Sequence, residues 1–436
     1  MHNFKKLKII NIVPGFGGTF YCGNCLRDSA FVRALKAIGH DAMTLPVYLP
    51  LSSNGKSEID NLPVFYGAVN IYLKQNFSLL RNMPSWLENF FNSAPILKYA
   101  AKKAGSTRAS GLEKMTMSML KGSEGHQKDE LQQLIDFLKF NEKPDVVHLS
   151  NALLLGMAKK IREELNIPVV CSLQDEDVWI DAMDDPFREQ LWQMLGEKAK
   201  DVDAFVAVSD YFAGIMKNKM NLPDNKVHVV HIGVDHERYT HNSPNLNTPV
   251  IGYLSRINKG NGFGLLIDAF IELKTNTKFT NARLKVSGGK TGDDKRFIND
   301  QINKLKKKGF HNDIEFVQDF RQEALKEFFN GLTLMSVPVL KGEAFGRYQL
   351  EALASGIPLV QPALGAFPEI INETGGGEIY EPNIKNALAD KLEFVLSNPE
   401  KLEQMSKNGR NAVVTKFNSK VLTEKMVTIY QKLLKE

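Results

Sequence analysis

Apolar residues run without a break from Ile9 to Val13 and stop at Pro14. A glycine-rich turn follows, Pro14-Gly15-Phe16-Gly17-Gly18-Thr19. After it come a segment with Leu26, Ala30, Leu35 and Ile38 spaced as one face of a helix, then Gly39, then a second apolar run from Ala42 to Val47. Short apolar runs alternating with amphipathic stretches predict a βαβ unit. The alternation returns with runs at 145–149, 169–173, 204–208 and 227–231, and with helices predicted over 152–165 and 186–200. A second series starts at 250–254 and continues with runs at 283–287, 314–317, 333–337 and 358–361. Helices are expected over 264–274, 297–308, 322–329 and 347–355, and a last one over 418–435. Runs of this kind read as strands buried on both faces, hence parallel sheets. Residues 50–130 break the pattern, with helical segments at 85–103 and 111–121 and no clear strand, and read as an excursion from the first sheet.

Length turns this into two domains. The 436 residues exceed the ~250 to 300 at which one core stops growing. The segment 236–249, with Asn242, Ser243, Pro244, Asn245 and Asn247, is turn-rich and poor in apolar residues, as a linker is. The expected division is therefore 1–240, 241–417 and a C-terminal helix over 418–436. The fold class is α/β, with two doubly wound Rossmann-like domains whose carboxyl strand ends enclose a cleft.

Composition narrows the function classes. Hydrophobic residues at 43% and charged residues at 24% exclude a disordered or collagenous chain. A net charge of +5 is too thin for nucleic acid to be the main partner. The charge is unevenly placed: residues 1–130 carry +7, 131–240 carry −7 and 241–436 carry +5. Three cysteines, Cys22, Cys25 and Cys171, build no disulfide framework, which points to a reducing, cytoplasmic compartment. No run approaches the ~18 apolar residues of a membrane span. The basic, Met-bearing part of the excursion (Lys98, Lys102, Lys103, Arg108, Lys114, Met115) reads either as a solvated helix face or as a peripheral contact at the inner face of the membrane.

Candidate chemistry gathers in a few places. The amides of Gly17 and Gly18, in a turn that feeds a helix, suit a phosphate. Phe20 occupies the third glycine of a dinucleotide fingerprint, which disfavours NAD although Asp41 lies where a ribose ligand would. More specific is Glu343-Ala-Phe345-Gly346-Arg347 leading into a helix with Glu351 two turns along. Two carboxylates offer acceptors for ribose and hexose hydroxyls, and the amides of Gly346 and Arg347 offer donors for a diphosphate. Asp175-Glu176-Asp177 follows a strand end, where Asp175 and Asp177 suit an acceptor's hydroxyls or a solvated loop. Cys22-Gly-Asn-Cys25 has the form of a redox pair but lacks the matching fold, and paired metal ligands are missing.

In order along the chain, several segments carry a likeness: Gly17-Gly18, Gly39-His40-Asp41, Val206-Ala-Val-Ser209, Ile232-Gly233-Val234-Asp235, Gly252-Tyr-Leu-Ser-Arg256, the pair Glu343 and Glu351, and Gly365 to Glu369. Together they resemble the retaining glycosyltransferases of family 4 (group 1), which have the GT-B fold. The likeness covers the chain apart from 50–130. It implies transfer of a sugar from a UDP- or GDP-sugar to a saccharide, lipid-linked or small-molecule acceptor, with no metal and no cofactor. The donor would sit mainly on the second domain, with Glu343 on the hexose as the catalytic-site carboxylate, Glu351 on the ribose, and Arg256, Phe345, Gly346 and Arg347 around the diphosphate. Gly17 and Gly18 would lie opposite. The acceptor would meet Ser150, Asp175 and Asp177. The resemblance also implies a last helix that returns to the first domain.

Two departures stand out. The lysine that usually precedes a glycine after Arg256 is replaced by Asn261, with Lys259 and Arg347 as substitutes. The usual cleft histidine falls at Ser150, and His148 alternates within an apolar strand as a satisfied core histidine does. No general base is named. A nucleotide-sugar epimerase on the same fold and a non-catalytic sugar-nucleotide binder are the alternatives.

Overall fold

A computed structural model describes residues 6–15, 21, 23–48, 109, 111–241, 243–244, 246–275 and 277–435. The turn glycines Gly17 and Gly18, Cys22, and the excursion from 50 to 108 lie outside the described residues.

The chain divides into two compact units, 1–18 with 24–231 and 423–436, and 19–23 with 232–422. The first holds a six-stranded parallel sheet in the order β2-β1-β3-β4-β5-β6. Its strands are β1 (Lys8–Val13), β2 (Asp41–Pro46), β3 (Val146–Leu149), β4 (Val169–Leu173), β5 (Ala204–Ala207) and β6 (Val227–Val229). β3, β4 and β5 are buried at every position, as expected for a parallel sheet covered on both faces. Register is set by pairs such as Asn11 opposite His148 and Leu149 opposite Cys171.

The second sheet, in the order β12-β11-β10-β7-β8-β9, is also wholly parallel. It comprises β7 (Val250–Leu254), β8 (Arg283–Ser287), β9 (Ile314–Phe316), β10 (Leu334–Met335), β11 (Leu359–Pro362) and β12 (Gly377–Tyr380). Counted within the unit this is the 3-2-1-4-5-6 order of the dinucleotide-binding fold. In such sheets ligands lie beyond the carboxyl strand ends where the winding reverses. That switch falls between β7 and β10 in this unit and between β1 and β3 in the other.

The chain passes from the first unit to the second at His231 and Ile232, ahead of the turn-rich 236–249 segment. That segment and the residues just before it are tied into the second unit. Val234 bridges to Asn418, its amide donates to the Phe417 carbonyl, and Arg410 Nη1 donates to the Tyr239 carbonyl at 3.0 Å. At the other end, the helix Ser419–Leu433 contributes only its portion from Thr423 onward to the first unit.

The stretch 152–165, expected as one helix, is a 3-10 helix over Ala152–Met157 followed by an α-helix over Ala158–Leu165. Close packing explains the change. A Cβ on Gly156 would lie 2.1 Å from the Met119 carbonyl oxygen, and one on Gly122 2.1 Å from the Gly156 oxygen. The backbone of the helix Glu113–Leu120 and the turn after it therefore press directly on this segment.

Candidate functional site

In the second unit, the loop after β10 carries Glu343, Phe345 and Gly346 into the helix Arg347–Ala354, and the loop after β7 carries Arg256 and Asn261. Both emerge at the switch point. Gly346 has φ +80°, a left-handed conformation that glycine adopts without strain. Gly365, at φ +61°, backs the loop so closely that a Cβ there would sit 2.5 Å from both the Glu343 nitrogen and oxygen. The Ala366 amide donates to the Glu343 carbonyl at 3.1 Å. The Gly365 turn therefore fixes where Glu343 stands.

The helix from Arg347 is buried along its whole length, because it runs inside the unit rather than over it. Arg347 and Glu351 are 2% and 0% exposed, so neither is the open cleft group that the sequence suggested. Four residues apart, they share a helix face and pair with each other. Arg347 Nε donates to Glu351 Oε1 at 3.0 Å, and Nη1 donates to the Gly233 carbonyl at 2.9 Å. Glu351 also accepts from the hydroxyls of Tyr21 (to Oε2, 2.7 Å) and Tyr239 (to Oε1, 3.1 Å). Burial, and then the Glu351 charge, push the Tyr21 hydroxyl well above its usual pKa. Burial opposes the charge on Arg347, but Glu351 together with Tyr239 and Tyr21 outweighs it and raises the guanidinium pKa. Arg347 Nη2 has no hydrogen-bond partner.

Arg256 is committed within its own unit. Its Nε and Nη2 grip Asp294 at 3.0 and 3.2 Å, and Nη2 also donates to Thr291 Oγ1 at 2.8 Å. Asp294 in turn accepts from the Thr291 amide. Burial raises the Asp294 carboxyl, but these donors win and hold it below the usual range. Asn261, at the expected lysine position, donates Nδ2 to Ser255 Oγ at 2.8 Å and to the Arg256 carbonyl at 3.1 Å. Lys259 is exposed.

In the first unit, Ser150 closes β3 and is 1% exposed, with its hydroxyl unpartnered. His148 is 2% exposed, with Nδ1 2.5 Å from the Tyr430 hydroxyl and Nε2 2.7 Å from Ser172 Oγ. Burial, and then the nearby Arg27, lower its pKa to about 3, so it is neutral at physiological pH. It is a satisfied core histidine. Asp175 has φ +59°, and burial followed by the Asp175 charge raises the Asp177 carboxyl.

The residue between them is the anchored one. Glu176 Oε1 accepts from the Ala152 amide at 2.8 Å and Oε2 from the Gln174 amide at 2.7 Å, joining the loops after β3 and β4. Sequence reasoning also passed over Arg27, Asp28 and Gln174. The available signal was position: Arg27 and Asp28 lie in the second turn of the helix that follows β1, near the carboxyl edge of the sheet.

Two winding-reversed parallel sheets, with a glutamate-bearing loop and a buried helix N-terminus at the second switch point, are the layout of a GT-B protein. The sequence profiles agree. The group 1 glycosyl transferase profile matches residues 237–412, and that of glycosyltransferase family 4 matches 125–238. The chain belongs to the group 1, family 4 glycosyltransferases. The capsular polysaccharide biosynthesis glycosyltransferase CapM of Staphylococcus aureus is 28% identical over 230 residues, 51% of this chain and 54% of that protein. The chain spans about half the length of the curated relatives it matches, 54% and 56% for two of them.

Among solved structures, sucrose-phosphate synthase from Thermosynechococcus elongatus superposes with a TM-score of 0.70 at 15% identity, covering 99% of this chain and 100% of that one. HepE of Anabaena, solved in complex with UDP, gives 0.67 at 14% identity over 98% and 100%. At such identities these likenesses establish the GT-B fold.

Proposed function

We propose that the chain transfers a sugar from a UDP- or GDP-sugar to a hydroxyl of a saccharide, lipid-linked or small-molecule acceptor, with retention of anomeric configuration and without metal or cofactor. The observation that carries this reading is the switch-point loop of the second unit, where Glu343 stands three residues ahead of the left-handed Gly346 that opens a buried helix. Glu343 takes the hexose hydroxyls, and Phe345 and Gly346 shape the loop around the sugar. The first amides of the helix, with Arg347 buried behind them on Glu351, take the diphosphate. Arg256 is a weaker partner for it, because Asp294 already offsets its charge. Glu351, fully buried, holds two donors on Oε1 and one on Oε2, so it orders Arg347, Tyr21 and Tyr239 behind the loop. Gly17 and Gly18, outside the described residues, remain donor candidates on the sequence likeness, and Asp175, Asp177 and the buried Ser150 are the acceptor candidates of the first unit.

Catalysis comes from stabilising charge on the departing nucleotide and holding the acceptor in place. We place the reaction in the cytoplasm, with a lipid-linked acceptor reached at the inner face of the membrane. Among the described residues no helix is long and apolar enough to cross a membrane.

A thermal-shift screen of UDP- and GDP-sugars tests the reading. At least one should raise Tm, and NMR of the product should show the donor's anomeric configuration kept. If none shifts Tm, the proposal fails.

A further inference from the structure

The loop after β8 reads Gly288-Gly289-Lys290-Thr291-Gly292 and presses on the loop that carries Arg256. Gly288 and Gly289 stand at φ +121° and +77°, and a Cβ on Gly288 would lie 2.1 Å from the Ser255 oxygen. Only glycine lets the two backbones meet there. Leu254 and Ser287 are paired at the ends of β7 and β8, and beyond them the Ile257 amide donates to the Gly289 carbonyl at 2.9 Å. On the other side of Lys290, Thr291 Oγ1 accepts from Arg256 Nη2 at 2.8 Å. Lys290 therefore leaves the backbone between two residues that each touch the Arg256 loop. A further tie runs to the helix Arg347–Ala354. Tyr21, which belongs to the second unit, donates its amide to the Gly288 carbonyl at 2.9 Å and its hydroxyl to Glu351 Oε2 at 2.7 Å. One tyrosine thus spans from the β8 loop to that helix.

Most of the positive charge at this edge is already spent. Asp294 offsets Arg256, and Glu351 offsets Arg347. Lys290 is exposed, and among the described residues its side chain makes no hydrogen bond or ion pair. The β7 edge is one strand spacing away, ~4.8 Å, within the span of the flexible four-carbon lysine stem. A diphosphate carries more negative charge than the partial charge of a helix N-terminus can offset, so an uncommitted cation in reach of it matters.

We infer that Lys290 is the cation that meets the donor's diphosphate, reaching it from the β8 side of the Arg256 loop. The inference rests on the glycosyl-transfer reading. Arg256 and Thr291 act as positioning residues, since their contact fixes where the Lys290 stem begins. Lys259 is exposed as well, but its turn is tied on the other flank of β7, where the Leu340 amide donates to the Gly260 carbonyl at 3.0 Å.

UDP and GDP are titrated into the full chain by calorimetry, beside UMP and GMP, which lack the second phosphate. Wild type should bind at least one diphosphate more tightly than its monophosphate. Lys290→Ala should weaken that diphosphate by roughly tenfold or more, the scale of a charge-assisted contact, and the monophosphate by less. Lys290→Arg should restore most of the loss. Lys306→Ala, which removes the same charge near the far end of the helix Lys295–Lys308, should change neither affinity. Because the Lys290 side chain is exposed, the melting temperature of Lys290→Ala without ligand should match wild type. An unchanged diphosphate affinity in Lys290→Ala, an equal loss for both phosphates, or a larger loss in Lys259→Ala would each overturn the inference and leave the transfer reading standing. Wild type that binds neither UDP nor GDP sinks the transfer reading, and the inference with it.

Discussion

Asn261 shows how far a residue's meaning depends on its partners. As a sequence position it is a missing cation. In the structure its side chain ties Ser255 and the Arg256 carbonyl together, so restoring a lysine removes two hydrogen bonds worth about 0.5 to 1.5 kcal/mol each. Asn261→Lys should lower stability by roughly 1 to 3 kcal/mol in a denaturant melt and leave UDP affinity without a compensating gain by calorimetry. A tighter UDP complex at unchanged stability would contradict this. Arg347 is the converse case. The sequence made it an open phosphate ligand, yet it neutralises the fully buried Glu351. Arg347→Ala leaves that carboxylate unpaired, and the expected loss is about 3 to 5 kcal/mol of stability. Arg347→Ala with Glu351→Gln should recover part of it, and the difference is read by melting both variants. Residue types at the site were legible in the sequence, but partners were not. Tyr21 and Glu351 meet across 330 positions, and Arg347 and Gly233 across 114, separations on which local pattern is silent.

Elements were more legible than residues wherever burial alone defines them. The runs at 169–173, 250–254 and 283–287 are the strands β4, β7 and β8 residue for residue; β4 and β7 are near-continuous apolar runs, as parallel strands covered on both faces are, while β8 alternates Leu284 and Val286 with Arg283 and Lys285. β12 escaped notice. Its four residues, Gly377 to Tyr380, follow two further glycines and include a glutamate. The helices Phe367–Thr374 and Pro399–Thr415 were likewise not anticipated; the first opens on what reads as a turn, Gly365 to Glu369. That turn matters, since Gly365 sets the Glu343 loop. Gly365→Ala combines a left-handed φ with a 2.5 Å clash against the Glu343 backbone, so it should abolish the nucleotide-sugar Tm shift. Gly309 is the control. It ends the helix Lys295–Lys308 at φ +81° with nothing within 4 Å of its Cβ position. Gly309→Ala should cost only the left-handed penalty of about 1 to 2 kcal/mol and leave the donor-induced shift intact. Equal donor response in the two variants would remove Gly365 from the account of the site.

At the scale of the whole molecule, the units are stabilised by different things. The first depends on a residue far from it in sequence: Tyr430, wholly buried, closes on His148, so its core is complete only once the end of the chain has folded. The second holds Arg256, Glu343 and Phe345 to Glu351, described residues of the proposed donor site. A chain with two cores need not unfold in one step, and a ligand stabilises only the part that binds it. Calorimetry should therefore resolve two transitions. A saturating nucleotide diphosphate should raise one of them, by about 2.7 kcal/mol at a hundredfold excess over Kd, and leave the other in place. Tyr430→Ala should lower the transition that the nucleotide does not move, by about 3 to 5 kcal/mol for a large buried ring. Tyr430→Phe, which loses only the hydroxyl and strands one imidazole nitrogen, should lower it by about 1 to 3 kcal/mol. If Tyr430→Ala and the nucleotide act on the same transition, the two cores are a single cooperative unit and the division of labour between them is wrong.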